Sequence, residues 1–125
     1  DLTTKKLEYA GANRPLWLIR DSEWKEIKPD KLAIGGFRLK EDMSFTNHEL
    51  QLHKGDIIYL FSDGYADQFG GEDGKKMLSK RFRDKLFSMQ SMIMREQEKE
   101  LLSYFNNWKG THDQVDDVLV IGIRI

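Results

Sequence analysis

Residues 59–68, "YLFSDGYADQ", carry an aromatic and aliphatic run through Phe61 into Ser62-Asp63-Gly64, then place a second acid at Asp67. The stretch poses a physical problem: why does so hydrophobic a strand end on a carboxylate and turn sharply there? Upstream, "HKGD" turns the chain into "IIYLFS", whose unbroken apolar character predicts a strand covered on both faces. Downstream of Gly74 the period changes. Leu78, Phe82 and Leu86 recur at helical spacing among lysines and arginines, which predicts an amphipathic helix over about 75–88. A second helix is expected over about 91–108, with Leu101, Phe105 and Trp108 as its apolar stripe and Gly110 as its stop. The chain closes on "DDVLVIGIRI", a β-rich run that again predicts a covered central strand.

The N-terminal side reads as strands. "LEYA", "PLWLIR" and "EWKEI" are short runs broken by the turn-prone "GANRP" and "DS", with Trp17 and Trp24 on either side of the second turn. A loop, "KPDKLAIGG", runs to Gly36, and "SFTNHELQL" mixes polar and apolar residues as a half-exposed strand does. Strands, then two helices, then a strand predict an α+β fold with helices packed on an antiparallel sheet.

Composition narrows the function. The 125 residues make one domain or part of one, a size at which roughly two thirds of the unfolded surface is buried. Twenty basic and 21 acidic residues leave a net charge of -1, so no bulk field favours nucleic acid or an anionic membrane. There is no cysteine, which excludes disulfides and thiolate ligands and suits a reducing, cytoplasmic setting. No stretch approaches the roughly 18 apolar residues of a membrane span. The sequence begins at Asp1 and enters a strand almost at once, so it is expected to be cut from a larger protein.

Two places set carboxylates at the edge of an apolar strand: Asp63 ends one, and Asp116 with Asp117 begins another. If the two strands are antiparallel neighbours, these acids converge. Their repulsion is then relieved by a cation, and oxygen-only ligands favour a hard divalent ion, Mg²⁺ or Mn²⁺. Gly64 lets the backbone turn away and leaves Asp63 exposed. The plain alternative is a solvated Asp-Gly turn and an acidic loop.

"GDIIYLFSDGYADQFG", then two helices, then "QVDDVLVIGIR" resembles the C-terminal half of the metal-dependent serine/threonine protein phosphatases, the protein phosphatase 2C-like family. The bacterial branch named for sporulation stage II protein E is the nearer likeness. "LEYAGANRPLWLIR" is similar to that branch's "Y-A-x-A-G-H-N-P" hairpin, with Ala12 where the His is usual and Arg14 before Pro15. The resemblance covers residues 1–125 and implies the C-terminal half of an αββα sandwich with a two-metal Mn²⁺ or Mg²⁺ centre at one edge. It implies Asp63 and Asp116 as metal ligands, and Asp117 as a residue behind them that orients rather than ligates. Asp67 matches an acid that in some relatives helps hold a weaker additional metal, and is otherwise a cap.

The implied activity is hydrolysis of phosphoserine or phosphothreonine by metal-activated water, without a covalent phosphoenzyme. Implied with it are a phosphorylated regulatory protein as substrate in bacterial signal transduction, and a sensor domain N-terminal to the phosphatase. The setting is cytoplasmic, either free or as the intracellular part of a membrane-anchored protein. The family's "D-x-x-G-H-G" segment does not occur in the sequence. The chain alone is therefore expected to bind metal weakly, to be inactive and to self-associate; a non-catalytic relay module is the alternative. Lesser candidates are His112 as a proton donor, Lys31 or Lys28 as a phosphate contact, and His48 and His53 beside substrate. Met89, Met92 and Met94 are expected as helix core or a pliable surface.

Overall fold

The strand that organises the N-terminal part is β2 (Leu16–Arg20), whose Leu16, Trp17, Leu18 and Ile19 are all buried. It lies between β3 (Glu23–Ile27) and β5 (Ile57–Phe61), antiparallel to both. The β2–β3 hairpin closes through Asp21 and Ser22, both at positive φ, the two-residue turn whose twist matches that of the flanking strands. Across it the rings of Trp17 and Trp24 meet edge to face at 4.8 Å. A separate ribbon pairs β1 (Lys6–Tyr9) with β4 (His48–Gln51), with Tyr9 opposite His48. A computed structural model describes residues 1, 3–35 and 44–125. Gly36, at the end of the "KPDKLAIGG" loop, lies outside the described residues.

The chain divides into two compact units, Asp1–Leu60 with Arg124–Ile125, and Phe61–Ile123. In the first, Leu16, Leu18, Leu52 and Ile58 form a buried cluster against which Leu7, Tyr9, Ile27, Leu50 and Ile125 pack. At its margin Asp56, 2% exposed, accepts hydrogen bonds from Arg20 Nε and Nη2 and from the His53 N–H. Ile125 closes the same corner, its N–H donating to the Asp56 carbonyl while its own carbonyl accepts from Gly55. The loop after β3 is tied down at Asp30, whose carboxylate accepts from the Thr46 N–H and hydroxyl.

The second unit is built on aromatic stacking. After β5 come α1 (Gly64–Asp67), a short hairpin of β6 (Phe69–Gly70) with β7 (Lys75–Lys76), then α2 (Leu78–Ser88) and α3 (Met94–Lys109). Tyr65 stacks on Phe82 at 4.3 Å and leans on Phe105 at 5.1 Å, and Phe61 meets Phe82 edge-on at 5.3 Å. Leu86, Met89 and Leu101 complete the core. The α3 helix stops at Gly110, whose N–H donates to the Asn106 carbonyl. The last strand is β8 (Val120–Arg124).

The α+β class and the antiparallel strands agree with the sequence pattern. Three local expectations are corrected. Lys75 and Lys76 are not helical: they pair with Phe69 and Gly70, and α2 starts at Leu78. Asp63-Gly64 is not a free turn but the start of α1, with the Asp67 N–H donating to the Asp63 carbonyl. The terminal strand is not covered: Leu119 is 56%, Ile121 42% and Ile123 45% exposed. Its apolar alternation prepares a buried face that this chain does not itself bury. Of the methionines, Met89 is core and Met92 is exposed.

The buried pair ties stability to pH. Burial pushes the Asp56 carboxyl up, but the Arg20 hydrogen bonds and the His53 N–H outweigh it and hold it below the usual aspartate value of 3.8. A depressed folded-state pKa contributes stability that is present above the unfolded value and lost as pH falls through the folded one. Asp56→Asn, which leaves Arg20 without its counter-charge, is expected to cost about 3 kcal/mol in urea melts at neutral pH. It should also flatten the loss of stability expected of the wild-type chain as pH falls below the usual aspartate range, leaving the neutral-pH penalty smaller in acid.

Candidate functional site

All the acids singled out by the sequence, Asp63, Asp67, Asp116 and Asp117, fall in the second unit. The segments that carry them are joined through Ser62. Its hydroxyl donates to the Asp117 carbonyl at 2.8 Å and accepts from the Leu119 N–H at 3.0 Å, and its own N–H donates to the Leu119 carbonyl at 3.0 Å. Thus the residue before Asp63 is bonded on both sides of Val118, two residues beyond Asp116. Gly64 makes the approach possible. A Cβ there would lie 2.4 Å from the Asp117 carbonyl oxygen, a distance that no side chain tolerates without backbone movement. Its role is close approach, not the sharp turn expected of it.

The next residue anchors this arrangement. Tyr65 is 2% exposed, its hydroxyl donates to the Leu101 carbonyl at 2.8 Å, and burial pushes its phenol well above the ordinary value of 10.0. The phenol therefore remains a neutral hydrogen-bond donor at physiological pH.

Asp63 is half-buried at the head of α1, whereas Asp116 and Asp117 are exposed. The Asp116 carboxylate accepts from the Asp117 N–H at 2.8 Å, and the Gln114 amide donates to the Asp116 carbonyl at 3.0 Å. Asp67 is paired with Lys76, whose Nζ lies 3.3 Å from Oδ1, so in this chain an ammonium stands beside the acid matched to a weaker metal position. Carboxylates on abutting segments suit a hard divalent ion. Yet among the described residues no three acidic or histidine side chains cluster closely enough to hold a metal ion. The donor set fits as part of a coordination shell, not a whole one.

The remaining candidates fall apart from this edge. His112 is exposed, with Nδ1 3.1 Å from the Lys109 carbonyl and Nε2 towards Gly74 in the β6–β7 turn. His48 is packed beside Tyr9, and His53 uses its backbone N–H on Asp56. Lys28 and Lys31 are exposed in the first unit. A groove of about 450 Å³ along α2, lined by Met77, Leu78, Lys80, Arg81, Asp84, Lys85 and Tyr104, contains none of the candidate acids.

Ser62 escaped the sequence reading although it stands inside the motif, because a serine at a strand end has no signature of its own. The sequence pattern puts Lys76 on the surface of a helix, and the β6–β7 hairpin instead brings it to Asp67. Gly64→Ala is expected to destabilise the chain by about 2 kcal/mol, since its Cβ meets backbone rather than a yielding side chain. Thermal melts check the magnitude, and amide exchange rising first at residues 117–119 checks the cause.

Comparison with known proteins places this geometry in a family. The chain is matched from residue 1 to 125 by the family model described as stage II sporulation protein E (SpoIIE). It superposes on the SiaA-PP2C domain of Pseudomonas aeruginosa with a TM-score of 0.86 and 32% identity, over 98% of this chain and 47% of that one. The Mn-presoaked phosphatase domain of the Bacillus subtilis cell fate determinant SpoIIE gives a TM-score of 0.68 at 16% identity, over 100% of this chain and 53% of that one. The B. subtilis PP2C domain with a fragment of its regulatory domain gives 0.70 at 18%, over 99% of this chain and 34% of that one. No curated protein matches the chain. The chain spans about half the length of the SiaA domain, and the two B. subtilis likenesses speak for the fold alone. A family match over every residue, joined to a fold shared with the SiaA-PP2C domain, means that this chain belongs to the SpoIIE family of PP2C-type phosphatase domains.

Proposed function

We propose that this chain supplies the Asp63–Asp116 edge of a metal-dependent phosphoprotein phosphatase that hydrolyses phosphoserine or phosphothreonine in bacterial signalling. The observation that carries the proposal is the Ser62 tie, which brings the two acid-bearing segments together in the order that the family's motifs require. Asp63 and Asp116 bind the cation, Asp117 lends its carbonyl to Ser62, and Tyr65 keeps the head of α1 from shifting as charge changes at the edge. Mn²⁺ or Mg²⁺, two in the intact domain, supplies an activated water and neutralises phosphoryl charge when bound. The other ligands belong to the family's "D-x-x-G-H-G" segment, so the chain alone is inactive and binds metal weakly.

Proposed with it are a small phosphorylated regulatory protein as substrate, an N-terminal sensor domain as input, and a cytoplasmic setting, free or beneath a membrane anchor. No helix among the described residues is long and apolar enough to cross a membrane. One observation favours the second reading, a non-catalytic relay module: no complete acid cluster forms among the described residues. The two readings part experimentally. In the full-length protein assayed on a phosphoserine peptide with Mn²⁺, Asp63→Asn and Asp116→Asn should each lower kcat by about a thousandfold. Undiminished turnover in either variant refutes the assignment, and a wild-type protein inert on every phosphopeptide supports the relay module.

We also propose that the chain alone self-associates through the exposed apolar residues of and just before its last strand, Leu119, Ile121 and Ile123. Light scattering at rising concentration should show dimers or larger species that Ile121→Lys returns to monomer; a wild-type monomer at high concentration contradicts it.

A further inference from the structure

Gln68 follows Asp67 directly and is buried, 1% exposed, where a polar side chain has little reason to be. Its position becomes intelligible from its bonds. The carboxamide Nε2 donates to the Phe69 carbonyl and to the Asp113 carbonyl, both at 2.9 Å. Its backbone carbonyl accepts from the Met77 N–H at 3.0 Å and from the Trp108 indole at 2.9 Å. One residue thus joins the β6 strand, the approach to α2, the last turn of α3 and the segment that leads to Asp116. The opposite face of the amide has no such use: Oε1 is buried without a hydrogen-bond partner among the described residues. Both Nε2 partners are carbonyl acceptors, so the amide cannot be turned round to relieve it. A buried amide with an idle oxygen is accounted for by its donors.

The Asp113 end is where those donors act. Residues 113–117 are exposed and lie outside any helix or strand, so packing does little to fix them. They are pinned at their two ends by the same part of the chain, Asp113 by Gln68 Nε2 and Asp117 by Ser62 Oγ. Asp116 lies between the pins. The clamp on the other side of Gln68 is equally tight. The Gly71 N–H donates to the Trp108 carbonyl at 2.8 Å, and a Cβ on Gly70 would lie 1.8 Å from that oxygen.

We propose that Gln68 is a positioning residue for the metal edge, holding Asp113 so that Asp116 stays in register with Asp63. The role rests on the phosphatase assignment only for its consequence, not for the tether itself. A group that orients ligands from behind typically changes metal affinity by about 10- to 100-fold when it is removed. Gln68→Met keeps the volume and deletes both donors, while Gln68→Glu sets a carboxylate oxygen against two carbonyls.

The test uses the full-length protein with MnCl₂ as the probe. Mn²⁺ affinity is followed by electron paramagnetic resonance, amide exchange is followed at residues 113–119, and turnover is followed on a phosphoserine peptide. Gln68→Met is expected to weaken Mn²⁺ binding at least tenfold and to raise exchange at 113–119 above that of α2 and α3, with the KM for peptide unchanged and kcat reduced. Gln68→Glu should do the same more strongly, and Gln68→Asn, one methylene too short, should not rescue. Wild-type Mn²⁺ affinity in a folded Gln68→Met protein, or exchange that rises equally across α2, α3 and 113–119, overturns the proposal. If the wild-type protein binds no Mn²⁺, the phosphatase assignment fails, and the exchange of 113–119 alone then decides whether the tether exists.

Discussion

The acidic edge depends on one hydroxyl. Ser62 both donates to and accepts from the 117–119 segment, a paired use that neither alanine nor a larger polar residue reproduces in the same space. The pair of bonds fixes distance and register together, since a slip of one residue would face the hydroxyl with the wrong backbone groups. Gly64 is the steric counterpart, because the bonds form only where no Cβ stands between Gly64 and the Asp117 carbonyl. Behind them Tyr65 carries the constraint into the core through Phe82, Phe105 and the Leu101 carbonyl. Hydrophobic stacking thereby sets the position of carboxylates that are themselves partly or wholly exposed.

Much of this was legible in the sequence, and the parts that were not share a physical cause. Strands β2, β3 and β5 and the two longer helices announce themselves by period, because burial of a whole face repeats along the chain. The boundary of α2 does not. Lys75 and Lys76 fit a helical surface as well as a two-residue strand, and they pair with Phe69 and Gly70, which lies against Trp108 far along the chain. Asp63 and Asp116 stood out as acids at the ends of apolar runs, whereas Ser62 and Gln68 act through single hydrogen bonds to backbone that no spacing records. The covered strand expected at the C-terminus failed for a different reason. Its pattern is right for burial, but among the described residues nothing covers Ile121 and Ile123.

The exposed strand residues and the partial acid set occur together among the described residues. A sandwich of two sheets buries the inner face of each against the other. This chain superposes on about half of the SiaA-PP2C domain at a TM-score of 0.86 and shares the local geometry of that half. Among the described residues the aromatic core and the Ser62 and Gln68 tethers close, while Leu78, Ile93, Leu102 and Val115 stand exposed along with Leu119, Ile121 and Ile123.

Opposite charges at this edge are handled locally and cheaply. The Lys76–Asp67 pair is about two-fifths exposed on both sides, so water screens it and it contributes little to stability. Asp56 with Arg20 shows the contrary case. There the carboxylate is 2% exposed and accepts three hydrogen bonds, so replacing the partner would strand a buried charge. Aspartate thus forms a buried, multiply hydrogen-bonded joint with Arg20 in one unit and a solvent-screened pair with Lys76 in the other, and the difference in burial sets how much each contributes.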